Sequence, residues 1–336
     1  MSGPPLAAGA IDAHGHLLPQ RLSAHLRTRS GLSDESFAVE AQGSSAALRL
    51  FGKRLTLPLE LVDSDAMLRA AEQRGVGVTV AAPPPFAYAY DQDASAALAW
   101  AGALNDALLE AHHERPDTLL IAATLPMHHP LLAAGEVARV AALGASALSI
   151  ATHPGTWIDD PSLDPVWRAA AQHDLPVILH PHHVDGRYGD ETHHLRNTVG
   201  NPFETSYAQA RLVFSDWLTR HPDVRLLLSH GGGALTALVG RWNHAAQHRH
   251  GVTLGDEHWL RRFSYDSIVF DERVRATLID LVGADRVAYG SDAPFDMADP
   301  ISAPALAARY PDHAPQLTRG AAHHWLYGRA ERGEEG

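Results

Sequence analysis

Cysteine is absent from the 336 residues, which excludes disulfides, thiolate zinc sites and a cysteine nucleophile. Basic charge is scarce: 27 lysines and arginines stand against 39 acidic residues, for a formal net charge of −12. No basic stripe interrupts that balance, so nucleic acids and anionic membranes are not expected partners. No apolar run reaches the length of a transmembrane helix. Residues 1–10 hold no basic residue and only a short apolar run, so no signal peptide is read there and the expected location is the cytoplasm. A Gly-x-Gly-x-x-Gly after an early strand is also missing, which counts against a dinucleotide-binding fold. Neither an internal repeat nor a shift of composition marks a linker, and one domain over residues 1–336 is the economical reading.

What is present is ordered. The stretch Ile11-Asp12-Ala13-His14-Gly15-His16 closes an apolar-leaning run. On an extended strand residues i and i+2 share a face, so both imidazoles point one way. Gly15 between them leaves room for an ion or ligand to approach the backbone. Two imidazoles on one face make half of a metal site. In a chain with 23 histidines the pair alone decides nothing, and the other strand ends must be consulted.

Residues 17–63 read as a long irregular insertion, of a size that is usually functional. From Ser64, taken as a helix cap, the pattern becomes regular. Helices are expected over 64–74, 93–113, 130–143, 165–173, 204–220, 234–248 and 272–282. Strands are expected over 76–81, 118–123, 147–151, 176–180, 224–230, 263–269 and 287–292. A polar loop spans 181–202, and helical segments 301–310 and 315–327 close the chain. About eight strand–helix alternations imply a parallel sheet. With 45% hydrophobic residues over this length, they favour a (β/α)8 TIM barrel with a long insertion after the first strand and an extra C-terminal helix.

His14, His16, His180, His230 and Asp292 fall at the C-terminal ends of expected strands one, five, six and eight. In a closed parallel barrel those ends converge on the face where active sites are built. Imidazoles with a carboxylate suit one divalent ion, zinc with manganese as the alternative, and leave positions for water or substrate.

Several motifs extend this. They are Ile11 to Pro19, Thr124-Leu125-Pro126-Met127, Leu179-His180-Pro181, His230-Gly231-Gly232-Gly233 with Gly240-Arg241 downstream, Tyr265-Asp266, and Gly290-Ser291-Asp292-Ala293-Pro294-Phe295. Together they resemble the amidohydrolase superfamily, and within it the branch typified by aminocarboxymuconate-semialdehyde decarboxylase. The resemblance runs from strand one to strand eight. It implies that His14, His16, His180 and Asp292 hold one metal, and that His230 is a catalytic acid/base rather than a ligand. It also implies that Arg241 reaches the active site of the neighbouring subunit in a homodimer, and that Phe295 lines the substrate pocket. Independently, Arg241 lies eleven residues along the helix from His230, about 15 Å at 1.5 Å per residue. An intrasubunit ion pair is the other reading of that arginine.

The chain departs from the branch where substrate is held. Gly52-Lys53 is followed at once by Arg54, and the position of the branch's carboxylate-binding arginine falls nearer Thr56. His182 stands where relatives carry a tryptophan after the His-Pro, and a later aromatic position falls near Asn197. The named semialdehyde is therefore not the expected substrate. Arg54, His182 and His183 are candidate substrate contacts, with surface charge as the other reading of Lys53 and Arg54. The pairs His112-His113, His128-His129, His193-His194 and His323-His324 are expected in solvent. Trp100, Trp167 and Trp217 are expected in the core.

The expected function is a metal-dependent, non-oxidative decarboxylase of a small unsaturated or aromatic carboxylic acid, with His230 and Asp292 catalytic. A metal-dependent hydrolase of a lactone, ester or amide is the runner-up. Against it, residues 147–151 contain no lysine that a carbamate would turn into a bridge to a second ion. A metal-binding protein without catalysis would leave His230 no purpose.

Overall fold

The computed structural model describes residues 6–28, 36–182, 191–254 and 258–328. Strand β1 (Ala10–His16) is followed by β2 (Phe37–Gln42), β3 (Ser45–Leu50) and β4 (Lys53–Pro58), which pair only with one another, antiparallel. Then come β5 (Val76–Ala82), β6 (Leu119–Thr124), β7 (Ala147–Ala151), β8 (Val177–His180), β9 (Leu226–Leu228), β10 (Phe263–Asp266) and β11 (Val287–Ala288). Strands β1 and β5 to β11 pair in chain order, every pair parallel. The ring shuts between the end of β11 and β1, where Ala13 N–H donates to Tyr289 O at 2.9 Å, Asp292 N–H to His14 O at 2.8 Å and His16 N–H to Ala293 O at 2.9 Å. The expected eight-unit barrel is present.

The helices are α1 (Leu22–Arg27), α2 (Ser64–Gln73), α3 (Ala94–Glu114), α4 (Pro130–Ala142), α5 (Asp164–Gln172), α6 (Asn201–Phe214), α7 (Trp217–Arg220), α8 (Leu235–His248), α9 (Glu272–Val282), α10 (Ala303–Arg309) and α11 (Ala321–Tyr327). Aspartates start several of them by accepting the N–H groups that a first turn leaves over. Asp63, not Ser64, caps α2 through the Ala66 N–H at 2.8 Å. Asp93 and Asp271 do the same for α3 and α9.

Small and branched residues fill the lumen. Ile11, Ala13, Val78, Val80, Leu120, Ala122, Ala147, Ile178, Leu227 and Ala288 form one buried cluster with Ala321, Ala322, Trp325 and Leu326 of α11. The C-terminal helix thus packs onto the lumen core, and the polar residues gather at the C-terminal ends of the strands. Trp100, Trp167 and Trp217 are core residues as expected, none more than 1% exposed.

Three further sequence expectations are corrected. The insertion is not irregular throughout, because residues 37–58 make two hairpins. Gly43 and Ser44 connect β2 to β3, and Phe51 and Gly52 connect β3 to β4, the latter both at positive φ (46° and 78°), as the favoured two-residue hairpin requires. Phe51 is an unusual residue for that turn, and its ring packs 4.6 Å from that of Trp100. Gly15 does not open the backbone to a ligand. A Cβ there would lie 2.9 Å from Thr79 Cγ2 and 3.1 Å from Met67 Cε, so its space is taken by β5 and α2. His112 is buried rather than solvated, and its Nδ1–H donates to Leu119 O at 2.6 Å.

Candidate metal centre

Strand alternation sends His14 and His16 to the same side, as the spacing requires. Their Nε2 atoms lie 3.2 Å apart. His180 ends β8, and His230 and Asp292 lie just past β9 and β11. Both of the last two hold left-handed backbone, with φ of 56° and 57°, a costly conformation for residues with a Cβ of the kind that clusters at functional sites. One ligand atom from each of His14, His180, His230 and Asp292 falls within 4.8 Å of the others. His16 Nε2 stands 2.9 Å from Asp292 Oδ1, and His230 Nε2 3.5 Å from Asp292 Oδ2. All five residues expected at the strand ends are therefore brought together, with His230 as much part of the donor cluster as the others.

Two supports fix the tautomers of His14 and His180. His14 Nδ1–H donates to Asp266 Oδ2 at 2.7 Å, which turns Nε2 inward as a lone pair. His180 Nδ1–H donates to Pro181 O at 2.7 Å, with the same result. This is the arrangement by which outer carboxylates and carbonyls orient metal-ligating imidazoles. His180 Nε2 is buried and has no hydrogen-bond partner among the described residues. Burial, reinforced by the neighbouring His230, His14 and His16, holds His180 well below the usual imidazole range, so it is neutral. For Asp292 burial alone would raise the pKa, but the imidazoles of His16 and His230 outweigh it and hold the carboxyl well below the carboxylate range. The neutral His180 with its orphaned inward nitrogen, beside an ionised Asp292 and the imidazoles of His14, His16 and His230, fits a divalent cation.

Sequence reasoning gave Asp266 no role, and it is central. It is fully buried, and besides His14 it accepts the N–H groups of His230 and Gly231, each at 2.9 Å, and of Ile268 at 3.1 Å. Asp12 is a second support. Its Oδ1 accepts the N–H groups of His14 and Ser291 at 3.1 and 3.0 Å, and its Oδ2 accepts the Ser291 hydroxyl at 2.5 Å. The signal for both was available, since an aspartate at a buried strand end needs a partner.

The candidate substrate contacts scatter. Phe295 packs 5.1 Å from His16 and 6.3 Å from Phe86. His182 packs edge-on to Tyr88 and Tyr90 at 5.3 and 5.5 Å. The Tyr88 hydroxyl bonds Ser149 Oγ at 2.7 Å, filling lumen beside β7 where no lysine stands. Arg54 is exposed in β4, alternating with Leu55 and Leu57, which pack on the core. Arg241 is exposed on α8, in a groove with Phe214, Leu238, Trp242, Ala245 and Val252. His183 lies outside the described residues.

The chain is similar to known proteins. The 2-amino-3-carboxymuconate-6-semialdehyde decarboxylase of Dictyostelium discoideum is 26% identical over 297 residues, covering 86% of this chain and 82% of that protein. The gamma-resorcylate decarboxylase of Rhizobium sp. (strain MTP-10005) is 28% identical over 263 residues, 71% of this chain and 79% of that one. A crystal structure of dihydroxybenzoic acid decarboxylase from Polaromonas sp. JS666, with bound manganese and the inhibitor 2-nitroresorcinol, superposes with a TM-score of 0.73 at 19% identity, over 96% of this chain and 98% of that one. The amidohydrolase family profile matches residues 11–332, nearly the whole of the described barrel with its centre, and the chain belongs to the amidohydrolase family.

Proposed function

We propose that the chain is a metal-dependent, non-oxidative decarboxylase, a carbon–carbon lyase acting on a small unsaturated or aromatic carboxylic acid. The observation that carries the reading is the donor cluster of His14, His180, His230 and Asp292 within 4.8 Å, which His16 joins through its Nε2 at 2.9 Å from Asp292 Oδ1, with no lysine on β7 to bridge a second ion. The relatives named above, decarboxylases with related acids in their names, support it. Hydrolysis of a lactone, ester or amide lacks that support.

His14, His16, His180 and Asp292 would hold the ion. A divalent ion bound there supplies Lewis acidity toward a carboxylate oxygen and lowers the pKa of water to roughly 7. Zinc suits the imidazole-rich set, and manganese is the ion in the Polaromonas relative. His230 is the acid/base. Its side chain is 14% exposed, against 0% for His14 and 1% for His16, so it is the imidazole most open to a substrate. It delivers a proton to the carbon that bears the carboxylate; the C–C bond then breaks, its electron pair returns to the π-system and CO2 leaves. Asp292 fixes His230 and His16 from one side. Phe295, His182 and Arg54 are proposed substrate contacts, Phe295 with the most direct support from its packing on His16.

Incubating purified protein with hydroxybenzoates and with pyridine and muconate-type acids, while following CO2 release, tests the reading. No release from any of them, with ester or lactone hydrolysis in its place, would replace it with the hydrolase. Residues 1–336 acting as one domain and a cytoplasmic location belong to the same proposal.

The active unit is further proposed to be a homodimer in which Arg241 binds a carboxylate in the partner's pocket bidentately. Its exposure on a partly apolar groove supports this. Mixing Arg241→Ala with His230→Asn chains should restore a fraction of wild-type activity, because one site of a mixed dimer has both residues intact. Subunit exchange verified by mass without recovered activity would place Arg241 in its own chain.

A further inference from the structure

A buried ion pair ties together the two segments that carry the acids of the centre. Arg275 lies in the first turn of α9 and Asp299 in the loop beyond β11, 4% and 3% exposed. Arg275 Nη2 donates to Asp299 Oδ2 at 2.7 Å, and its Nε–H donates to Ser267 O at 3.1 Å. The two acceptors belong to different segments. Ser267 directly follows Asp266, which holds His14 and the His230 turn. Asp299 braces the other side: its N–H donates to Ser291 O at 2.9 Å, and its Oδ1 accepts the Ile301 N–H at 3.0 Å. Ser291 directly precedes Asp292. The segments also touch, since Gly290 N–H donates to Ser267 Oγ at 3.3 Å, and a Cβ on Gly290 would stand 2.9 Å from the Asp266 Cβ.

Stability is a weak reason for such a pair, because desolvation offsets much of the Coulombic gain and apolar residues of similar volume often serve as well. Apolar residues do not supply direction. A guanidinium presents its donors in one rigid plane and fixes two acceptors relative to each other, which an ammonium on a flexible stem does not. We propose that Arg275 and Asp299 are positioning residues of the metal centre: they set the spacing between Asp266 and Asp292, and through it the placing of His14 and His230 against the Asp292 carboxylate. The proposal rests on the metal site and is independent of which reaction the site performs.

Two variants test it: Arg275→Lys, and the double change Arg275→Met with Asp299→Leu, which keeps an uncharged packed pair. Affinity for Mn2+ and, separately, Zn2+ is read by competition with a chelator, alongside the melting temperature of the metal-stripped chain. Arg139→Lys, in a buried network on α4, is the structural control. Orienting groups of this kind are typically worth about 10–100-fold in metal affinity. That loss is expected in Arg275→Lys and in the double variant, including when the double variant melts as high as wild type. Arg139→Lys should melt lower while binding metal with wild-type affinity. Wild-type affinity in Arg275→Lys or the double variant would overturn the proposal, as would an equal loss in Arg139→Lys. A wild-type chain that holds neither ion would overturn the metal site itself, and this role with it.

Discussion

Two clusters of buried polar side chains flank the barrel, and they differ in whether the protein completes them. Between α3, α4 and β6, Glu136 is 4% exposed and both its oxygens are met by donors. Oε1 accepts from Asn105 Nδ2 at 2.7 Å and Arg139 Nη2 at 2.8 Å, and Oε2 from Arg139 Nε at 2.8 Å. Asn105 in turn exchanges two bonds with the Thr124 backbone, both 2.9 Å. At the β1, β8, β9 and β11 ends only the outer nitrogens of His14 and His180 are met, by Asp266 and Pro181. His16 Nδ1, His230 Nδ1 and His180 Nε2 are buried without a partner among the described residues, and the Nε2 atoms of His14 and His16 face one another at 3.2 Å. Burying polar atoms in such an arrangement costs free energy unless something else binds them. The first cluster is part of the scaffold; the second is complete only with a ligand.

The contrast breaks first at His14. Replacing it with alanine should remove the ion, seen by elemental analysis, and lower turnover by about 10³-fold or more, since metal-ion catalysis is worth several kcal/mol. Full metal occupancy in this variant would remove His14 from the ligand set. The next largest effect separates ligand from acid within the cluster. His230→Asn should keep the ion and lose about 10²- to 10⁴-fold in kcat, the usual worth of a general acid/base; metal loss instead would make His230 a ligand, as its place among the four converging donors also allows. The mirror experiment is Glu136→Leu. It should cost on the order of 3 kcal/mol in denaturant unfolding, the low end for breaking a buried pair because Arg139 is one-third exposed and keeps Asp106. Metal content and turnover should stay at wild type, and a variant as stable as wild type would show the network to be dispensable.

Much of the barrel was legible because its signals are local and repeated. Apolar runs of five to seven residues, several closing on His or Asp and each followed by a helical period, specify a parallel sheet wherever they recur. Convergence of His14, His180, His230 and Asp292 then follows from topology alone. Other parts were hidden for identifiable reasons. The β3–β4 hairpin turns on Phe51-Gly52, and only tertiary packing on Trp100 explains a phenylalanine at positive φ. Gly15 reads as an opening toward a ligand, yet its neighbours Thr79 and Met67 come from elements that no spacing along β1 could reveal. His112 is one of a polar-looking pair, and its burial depends on a carbonyl seven residues downstream. Asp266 was visible as a residue but not as a support, because its three backbone donors lie in two separate loops or turns.

The closing seam has a consequence for how such a chain can diversify. Strand β11 has only two regular residues, so the barrel is shut largely by the segment around Asp292 bonding to His14 and His16, and by Ser291 bonding to Asp12. The same backbone that presents the carboxylate is the clasp of the cylinder. Insertions and substitutions there would unfasten the fold as well as alter the chemistry, so this stretch has little freedom to drift. Among the described residues, the stretches after β5 and β8 that carry Phe86, Tyr88, Tyr90 and His182 close no seam. New substrates would be acquired on that side of the mouth while the clasped side stays fixed.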